Sequence, residues 1–180
     1  MNKAVFLDRD GTINVEKGYL YKISDFEFIP GAVEGISLLN EKGYKVFIVT
    51  NQAGVARGFY TEEDVLILHK WLKDELMKRN ANVERIYYCP HHIHGLGPYK
   101  TGCNCRKPAA GMFMNALKEY NVDPVLSFTI GDKESDLIAG KAAGTKTILV
   151  ETGYGKDFIR TPFADYIASN LLFAVEYIIP

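Results

Sequence analysis

Two aspartates separated by one residue directly follow a short apolar run near the start of the chain. Asp8 and Asp10 come after Ala4–Leu7, and Asp132 with Asp136 come after a similar run at residues 128–130. Carboxylates from separate parts of a chain repel one another when they converge, and a bound divalent cation removes that repulsion. Oxygen ligands of this kind favour magnesium, which is commonly completed by a substrate phosphate. These residues therefore predict a magnesium-dependent phosphoryl-transfer site.

The two members of the Asp-x-Asp pair can take different roles at such a site. We predict that Asp8 attacks phosphorus as the nucleophile, and that Asp10 protonates the leaving oxygen and later activates water. The donors available to the phosphoryl oxygens are Thr50, Asn51, Lys107 and the backbone amides of the turn at Gly11. An Asp-x-Asp pair by itself is common in exposed turns. The prediction therefore depends on the combination of the pair with these donors and with Asp132.

All three cysteines lie in one segment, residues 89–107, which has no periodic pattern. An odd count argues against the disulfide framework of a secreted protein. Two pairs of soft ligands have one intervening residue each: Cys89 with His91, and Cys103 with Cys105. Four such ligands suit a closed, structural zinc site, which would leave His92 and His94 outside the ligand set. A reduced thiol cluster, or a labile disulfide within the second pair, remains the alternative.

The elements between these residues must bring them together. Short apolar runs alternate with segments of helical period, which predicts an α/β fold, a three-layer α/β/α sandwich with a mainly parallel sheet. Helices are predicted from the Pro30 and Gly31 pair to Gly43, after the capping pair Thr61 and Asp64, at residues 110–120 and at residues 134–143. Open parallel sheets bind ligands at the carboxyl ends of their strands. The polar residues described above lie at those ends.

Two parts of the chain contain no residue with a predicted chemical role. In the helix that begins after Thr61, Trp71 is expected to pack in the core and His69 to lie on the exposed surface. After Gly155 no functional motif is apparent. Residues 166–168 and 171–179 could add a last strand and helix.

Composition limits the classes of protein that this chain can be. A length of 180 residues suits one domain and leaves no room for a second large lobe. The net charge is −1 without a basic stripe, which argues against nucleic acid as a partner. No apolar run approaches the ~18 residues that span a bilayer, and residues 1–8 lack a signal-peptide core. We expect one domain over residues 1–180 with an inserted loop at 89–107, in a cytoplasmic monomer that does not bind a membrane.

Four motifs together resemble those of the haloacid-dehalogenase-like (HAD) phosphatases. In order, they are Asp8-Arg9-Asp10-Gly11-Thr12, Thr50-Asn51-Gln52, Lys107-Pro108, and Gly131-Asp132-Lys133 with Asp136. Residues 51–58, 88–92 and 103–108 resemble a narrower family, the D-glycero-D-manno-heptose 1,7-bisphosphate phosphatases, of which histidinol-phosphate phosphatase domains are near relatives. The resemblance covers about residues 3–155. It implies a HAD-like fold without a large cap domain.

The resemblance also implies roles for the matching residues. Asp8 would form an aspartyl-phosphate intermediate, and Asp10 would be the acid and base. Magnesium would be held by the Asp8 carboxylate, the Asp10 backbone carbonyl and Asp132, with Asp136 in support. The transferring phosphoryl group would be stabilised by Thr50, Arg106 and Lys107, with Lys133 near the phosphate or Asp8. Zinc would be held by Cys89, His91, Cys103 and Cys105, and would fix the segment that carries Arg106 and Lys107.

Substrate contacts follow from the same resemblance. They would come from Glu16, Lys17, Gly18 and Tyr19, from Asn51, Gln52 and Ala53, and from Arg106. A heptose bisphosphate carries a second phosphate that requires Arg or Lys, and Arg57 and Arg106 with Lys107 favour it. Histidinol phosphate carries an amine that requires an acidic partner, which Glu16 could supply.

The function that the resemblance implies is hydrolysis of the C7 phosphate of D-glycero-D-manno-heptose 1,7-bisphosphate. This small sugar phosphate would belong to the synthesis of nucleotide-activated heptose for a lipopolysaccharide core or surface glycan. No feature distinguishes the α from the β anomer. The alternatives are a histidinol-phosphate phosphatase and, from another class, a non-catalytic zinc-containing binding protein on the same fold.

Overall fold

A six-stranded, fully parallel sheet forms the centre of the computed structural model, which describes residues 1–179. The strands are β1 (Ala4–Leu7), β2 (Lys45–Asn51), β3 (Arg85–Cys89), β4 (Phe128–Gly131), β5 (Lys146–Val150) and β6 (Tyr166–Ala168). Their order across the sheet is β3-β2-β1-β4-β5-β6. The chain winds outward from β1 to β3 and then returns to place β4 beside β1. Ligand crevices of parallel sheets form at such a reversal of strand order.

Helices cover both faces of the sheet. They are α1 (Ala32–Glu41), α2 (Ala53–Ala56), α3 (Glu62–Met77), α4 (Gly111–Glu119), α5 (Glu134–Ala142) and α6 (Leu171–Ile178). Strand β1 shows the division into layers, because its side chains alternate between the two faces. Val5 and Leu7 belong to the core that contains residues of α1, α3 and α6. Ala4 and Phe6 belong to the core that contains residues of α4 and α5. The predicted three-layer sandwich is confirmed.

Helix α3 begins with the predicted capping pair. The Oγ1 of Thr61 accepts a hydrogen bond from the Asp64 N–H at 3.1 Å, and the Asp64 carboxylate accepts one from the Thr61 N–H at 2.8 Å. Trp71 is partly buried and packs against Phe26 with 5.1 Å between the ring centroids. The expectation that His69 is exposed is wrong. The residue is 5% exposed, and a buried polar group from the first motif lies against its ring.

The last strand and helix suggested by the sequence are present as β6 and α6. The Asn170 side chain caps α6 by accepting a hydrogen bond from the Phe173 N–H at 3.2 Å. Leu171 and Val175 of α6 are fully buried beside α1. No helix in the described part of the chain is both long enough and apolar enough to cross a membrane.

Residues 89–107, the cysteine loop, begin at the last residue of strand β3 and are tied to helix α3. Glu62 at the start of α3 accepts two hydrogen bonds, from the Tyr88 hydroxyl at 2.9 Å and from the Tyr99 hydroxyl at 2.8 Å. Because Tyr99 belongs to the loop and Tyr88 to the strand that precedes it, the carboxylate fixes the loop over the carboxyl ends of the strands.

Candidate active site

Three carboxylates meet at the carboxyl ends of β1 and β4. Asp8, Asp132 and Asp136 are buried, and each offers an oxygen within 4.8 Å of the others. The Lys107 Nζ lies 2.8 Å from Asp8 Oδ1 and 2.7 Å from Asp136 Oδ1, and it also donates to the Val49 carbonyl at 2.6 Å. Among residues 1–179, Lys107 is the one cation paired with this cluster. Negative charge therefore exceeds positive charge there.

The burial of these carboxylates and their excess of negative charge shift the pKa values of the residues in the cluster. Burial raises the pKa of Asp8 to about 6, although the Lys107 charge acts in the opposite direction. Burial raises the pKa of Asp132 to about 8, and the charges of Asp8 and Asp136 add to the effect. Burial would lower the pKa of Lys107, but Asp136 and Asp8 hold it above its ordinary value. The cluster is short of positive charge, so it favours a proton or a metal cation.

Asp132 has the geometry of a ligand for a hard cation. Its Oδ1 is buried without a hydrogen-bond partner, while its Oδ2 accepts from the Tyr154 N–H at 2.9 Å. An unsatisfied carboxylate oxygen beside two other carboxylates is costly unless a cation neutralises it. The oxygen-only donor set fits Mg²⁺. The residues present are therefore compatible with the predicted magnesium site.

Asp10 lies outside this carboxylate cluster and is surrounded by donors. Its oxygens accept from Arg9 Nη2 at 2.9 Å, from Asn14 Nδ2 at 3.0 Å and from Gln52 Nε2 at 3.1 Å. Burial would raise the pKa of Asp10, but the Arg9 charge and these hydrogen bonds outweigh it and lower that pKa below its usual value. The two aspartates of the motif thus have opposite electrostatic environments, as different chemical roles require.

A cavity of about 520 Å³ opens beside the cluster and contains most of the predicted site residues. Those that line it are Asp8, Asp10, Glu16, Gly18, Tyr19, Thr50, Asn51, Gln52, Ala53, Arg57, Arg106, Lys107 and Lys133. Asp132 lies in the carboxylate cluster rather than in the wall. The structure does not bring Lys17 to the cavity, because its Nζ pairs with Glu27 at 3.1 Å on the outer side of the turn.

Several lining residues have no predicted role in binding or catalysis. They are Leu20, Tyr60, His92, Ser135, Tyr154 and the motif residue Pro108, and Asp136, which the sequence predicts as a supporting residue, lines the cavity as well. Tyr154 follows strand β5, so the rule that directs attention to strand ends would have found it. Its ring lies 4.5 Å from the Lys133 Nζ. Tyr60 has no such signal, since it reaches the site only through packing of the α2–α3 connection.

Charged side chains in the cavity differ in whether they already have partners. Both carboxylate oxygens of Glu16 have a partner. Oε1 accepts a hydrogen bond from the Gly18 N–H at 2.8 Å, and Oε2 lies 3.3 Å from the Lys133 Nζ. Within residues 1–179, Arg57 and Arg106 form no ion pair. The Arg57 guanidinium lies 5.9 Å from the Tyr19 ring centroid, and Arg106 donates only to a backbone carbonyl, at 3.4 Å. Guanidinium groups without carboxylate partners are suited to binding an anion.

The four predicted zinc ligands form a second cluster. The Cys105 sulfur lies 2.8 Å from that of Cys89 and 3.2 Å from that of Cys103, and His91 Nδ1 lies 3.4 Å from it. These separations exceed the ~2.05 Å of an S–S bond, and all three cysteines are free. Burial opposes ionisation of Cys103, but hydrogen bonds from neighbouring groups lower its pKa to about 6. The arrangement could bind one metal ion with four ligands.

Known proteins resemble this chain over its length. A family model described as HAD-hydrolase-like matches residues 104–172. A Pasteurella multocida protein named D-glycero-beta-D-manno-heptose-1,7-bisphosphate 7-phosphatase is 49% identical over 154 residues, which cover 85% of this chain and 84% of the relative. A Photorhabdus laumondii protein named D-glycero-alpha-D-manno-heptose-1,7-bisphosphate 7-phosphatase is 40% identical over 179 residues, which cover 98% and 96%.

A crystal structure shows the same fold. The D,D-heptose 1,7-bisphosphate phosphatase of B. bronchiseptica, complexed with magnesium and phosphate, superposes with a TM-score of 0.87 and is 31% identical. The match covers 98% of this chain and 97% of that one. The parallel sheet and the carboxylate site at its switch point thus define a HAD-like hydrolase. The chain belongs to the D-glycero-D-manno-heptose-1,7-bisphosphate 7-phosphatase family, and the protein is a phosphatase.

Proposed function

We propose that this phosphatase removes the C7 phosphate of D-glycero-D-manno-heptose 1,7-bisphosphate and leaves the C1 phosphate in place. Relatives at 40–49% identity carry this activity in their names. A C7 phosphate is a primary ester at the end of a chain, so it can enter a buried site that a phosphate on the sugar ring cannot reach as easily. The product would serve the synthesis of nucleotide-activated heptose.

One observation carries the choice of substrate. The cavity that contains Asp8 and Lys107 also contains two guanidinium groups, Arg57 and Arg106, without carboxylate partners among residues 1–179. A substrate with two phosphates uses both features. Histidinol phosphate would need an acidic partner for its amine, and Glu16 is already engaged by Gly18 and Lys133. The geometry therefore favours the bisphosphate.

The first chemical step would form the aspartyl-phosphate. Asp8 Oδ1 is held by Lys107, which leaves Oδ2 to attack phosphorus while the bond from phosphorus to the sugar oxygen breaks. Asp10 gives its proton to that departing oxygen. In the second step Asp10 accepts a proton from water, the water oxygen attacks phosphorus, and the bond to Asp8 breaks. Inorganic phosphate is released and Asp8 and Asp10 return to their initial forms.

Asp10 must acquire a proton before it can act as an acid. In the structure its pKa is lowered, which suits the later role as base. The negative charge of a bound phosphate opposes ionisation of a nearby carboxyl and raises its pKa. Substrate binding thus raises the pKa of Asp10 and favours its protonated form. Once Asp10 has given its proton to the leaving oxygen and the leaving group has departed, the carboxylate form is favoured again.

We assign Mg²⁺ to the Asp8 carboxylate, the Asp10 backbone carbonyl and Asp132. When bound, it supplies charge neutralisation for the carboxylates and for the transferring phosphoryl group. Asp136 has a different part in this assignment, because its Oδ1 pairs with Lys107 and its Oδ2 accepts from the Lys133 N–H at 3.0 Å. Asp136 therefore holds Lys107 toward Asp8.

We assign structural Zn²⁺ to Cys89, His91, Cys103 and Cys105. Four protein ligands leave no open position, so the ion would stabilise the loop rather than act on the substrate. Arg106 and Lys107 follow the last ligand directly. A cytoplasmic location, which the sequence predicts, suits this site because a reducing compartment keeps the thiols available.

The experiment that tests the substrate compares four compounds at one Mg²⁺ concentration. Phosphate release is measured from the α and β anomers of the heptose bisphosphate, from heptose 7-phosphate and from histidinol phosphate. We expect kcat/KM for one or both bisphosphates to exceed that for histidinol phosphate by at least about tenfold, since a charge-assisted hydrogen bond contributes about 1.5–3 kcal/mol. Phosphorus NMR should show that the anomeric phosphate remains on the product.

A matched variant tests the role of the second phosphate. Arg57→Met should lower kcat/KM for the bisphosphates and leave that for heptose 7-phosphate nearly unchanged. A higher kcat/KM for histidinol phosphate than for either bisphosphate would overturn the proposal. Absence of phosphate release from every compound would instead support the non-catalytic alternative.

Metal analysis of untagged protein tests the zinc assignment. We expect about one equivalent of zinc per chain. Less than half an equivalent together with full activity would contradict it. In that case, thiol titration would distinguish a reduced cluster from a disulfide between Cys103 and Cys105.

A further inference from the structure

Arg9, the residue between the two aspartates of the first motif, is fully buried. Its Nη2 donates to both oxygens of Asp10 at 2.9 Å and to the Leu20 carbonyl at 3.0 Å. Its Nε donates to Asp10 Oδ1 at 3.3 Å. One edge of the guanidinium thus faces the carboxylate that acts as acid and base. A buried guanidinium holds a carboxylate in place only if its remaining donors are also satisfied.

The remaining nitrogen of Arg9 has one side-chain partner, and that partner comes from helix α3. Arg9 Nη1 lies 3.0 Å from Nε2 of His69, sixty residues further along the chain. A guanidinium can only donate, so the imidazole nitrogen must accept. The contact therefore requires a neutral His69 with its proton on Nδ1. Burial, together with the Arg9 charge, lowers the pKa of His69 to about 3, which is consistent with a neutral ring.

We propose that His69 is a positioning residue for catalysis: it accepts a hydrogen bond from Arg9 Nη1 and so holds the guanidinium in the plane that aims Asp10 at the leaving oxygen. The inference rests on the proposed function of Asp10. His69 touches neither the substrate cavity nor the carboxylate cluster. Its effect on the reaction must pass through Arg9.

A second line of contacts to Asp10 runs through Gln52, whose Oε1 also lies 3.5 Å from Arg9 Nη2. Gln52 Nε2 donates to Asp10 Oδ2 at 3.1 Å and to Thr50 Oγ1 at 2.9 Å, and the Tyr60 hydroxyl donates to Gln52 Oε1 at 2.7 Å. Loss of His69 would leave this line intact. Asp10 would stay near its position, but the guanidinium of Arg9 would no longer hold the Asp10 carboxylate in a fixed orientation. The expected defect is therefore in proton transfer and not in substrate binding.

The dependence on the leaving group separates this role from general support of the fold. An alkoxide needs a proton as it departs, whereas a nitrophenolate does not. A misdirected Asp10 should slow cleavage of a sugar phosphate or a phenyl phosphate much more than cleavage of p-nitrophenyl phosphate. A merely structural defect would slow all of them by the same factor.

The test uses two variants of similar side-chain volume, His69→Met and His69→Gln, in the full-length, metal-loaded enzyme. The parameter is kcat/KM for the heptose bisphosphate and for a series of aryl phosphates whose phenols differ in acidity. For H69M we expect a fall of about tenfold or more for the sugar and for the poorest aryl leaving group, a part of the ~10²–10⁴-fold that general acid catalysis contributes. We expect p-nitrophenyl phosphate to change by less than about threefold. H69Q, which retains an acceptor, should recover most of the loss.

Leu72→Ala is the matched control, because Leu72 is a fully buried residue of the same helix whose apolar side chain cannot accept a hydrogen bond from Arg9. It should lower thermal stability and leave the dependence on leaving group unchanged. An equal loss for all leaving groups in H69M, or a folded H69Q that shows the same defect as H69M, would overturn the proposal. If H69M does not fold, H69A with added imidazole replaces it, and selective recovery of the poor leaving groups is then the expected result.

The proposed function and this inference can fail separately. If the wild-type enzyme does not hydrolyse the heptose bisphosphate, the substrate assignment fails. The aryl phosphate series still reports on His69 in that case. If the wild-type enzyme hydrolyses the bisphosphate and H69M shows no dependence on leaving group, only the inference about His69 fails.

Discussion

The loops that follow strands β1 and β5 both approach the Asp132 carboxylate closely. A Cβ atom on Gly11 or on Gly153 would lie 2.2 Å from the Asp132 Oδ2, and both glycines have positive φ, at 86° and 57°. The Thr152 hydroxyl also donates to the Gly11 carbonyl, at 2.6 Å. Glycine is required at both positions because a side chain would displace the carboxylate. The backbone at Gly11 and the backbone at Gly153 thus confine the carboxylate of Asp132, the proposed metal ligand.

Gly153→Ala should therefore weaken magnesium binding more than it weakens the fold. The added methyl displaces Asp132, and the positive φ costs about 1 kcal/mol or more for alanine. We expect the Mg²⁺ concentration for half-maximal activity to rise by about tenfold or more, since 1.4 kcal/mol corresponds to a factor of about 10. Gly43→Ala is the control, because Gly43 has a φ of 76° but no atom within 4 Å of its Cβ position. Equal effects of the two substitutions would count against this account of Asp132.

Asp8→Asn should abolish turnover while the protein stays folded. An amide cannot form the aspartyl-phosphate, so phosphate release should fall by about 10⁴-fold or more, as for loss of other nucleophiles. Asp157→Asn, at an exposed site, is the control for the loss of one charge. Thermal unfolding checks that the fold is retained. An active and correctly purified Asp8→Asn protein would exclude the proposed nucleophile.

At the scale of elements, the cysteine loop is attached at several points to helices α2 and α3. Besides the two tyrosine bonds to Glu62, the Leu96 N–H donates to the Ala56 carbonyl of α2 at 2.7 Å. At the end of the loop, Asn51 and Lys107 form a reciprocal pair, with Asn51 Nδ2 donating to the Lys107 carbonyl at 3.0 Å and the Lys107 N–H donating to Asn51 Oδ1 at 3.1 Å. The loop and strand β2 thus position Lys107 jointly.

Cys103→Ser should release zinc and loosen this loop. We expect the melting temperature to fall by about 5 °C or more, since 1 kcal/mol corresponds to about 2–4 °C in a chain of this size. The KM for the bisphosphate should rise more than that for p-nitrophenyl phosphate, because Arg106 follows the last zinc ligand and is proposed to bind the second phosphate, which p-nitrophenyl phosphate lacks. Zinc content, calorimetry and kinetics of both substrates measure these effects. Full zinc content in Cys103→Ser would contradict the ligand assignment.

At the scale of the whole molecule, the strand order of the parallel sheet brings like charges together, which costs electrostatic free energy. Strands β1 and β4 end side by side, so the carboxylates that follow them are forced together in a buried place. The raised pKa values of Asp8 and Asp132 follow from that arrangement. A metal ion that neutralises the carboxylates should therefore stabilise the entire fold, and it should do so in a way that depends on pH.

The stabilisation by Mg²⁺ should grow as the pH rises. The pKa of Asp132 is about 8 in the folded protein against 3.8 ordinarily, so between these values the folded chain holds a proton that the unfolded chain has lost. Without metal, raising the pH removes this proton at the expense of stability. With Mg²⁺ bound, the ionised form of Asp132 is favoured over the protonated form, so a rise in pH no longer lowers stability in this way. We expect the melting temperature to increase on addition of Mg²⁺ by more at about pH 8 than at about pH 5.5.

The measurement uses protein dialysed free of Mg²⁺ but not treated with a strong chelator, so that zinc is retained. Asp132→Asn should lose most of the pH-dependent part of the gain, and the remainder comes from Asp8, whose pKa is raised to about 6. A gain that is constant across this range, or larger at the acidic end, would show that the carboxylate cluster does not bind the ion.

The sequence by itself determined the sheet, most helices and the placement of the motifs. Apolar runs followed by polar residues are local patterns, and the carboxyl ends of parallel strands lie on one edge whatever the details of packing. For this reason the order of residues along the chain was enough to place Asp8, Thr50 and Asp132 at one site. The capping pair at Thr61 and the weak final strand and helix were likewise local signals.

Only the tertiary structure decided which polar groups contact one another. The pairing of Arg9 with His69, the approach of Gly153 to Asp132 and the engagement of Glu16 by Lys133 each join segments that are distant in the chain. The expectation for His69 is wrong for the same reason, since helical period shows which face is apolar but not which buried polar group lies opposite. Such contacts depend on the distances between packed layers, which no local pattern encodes.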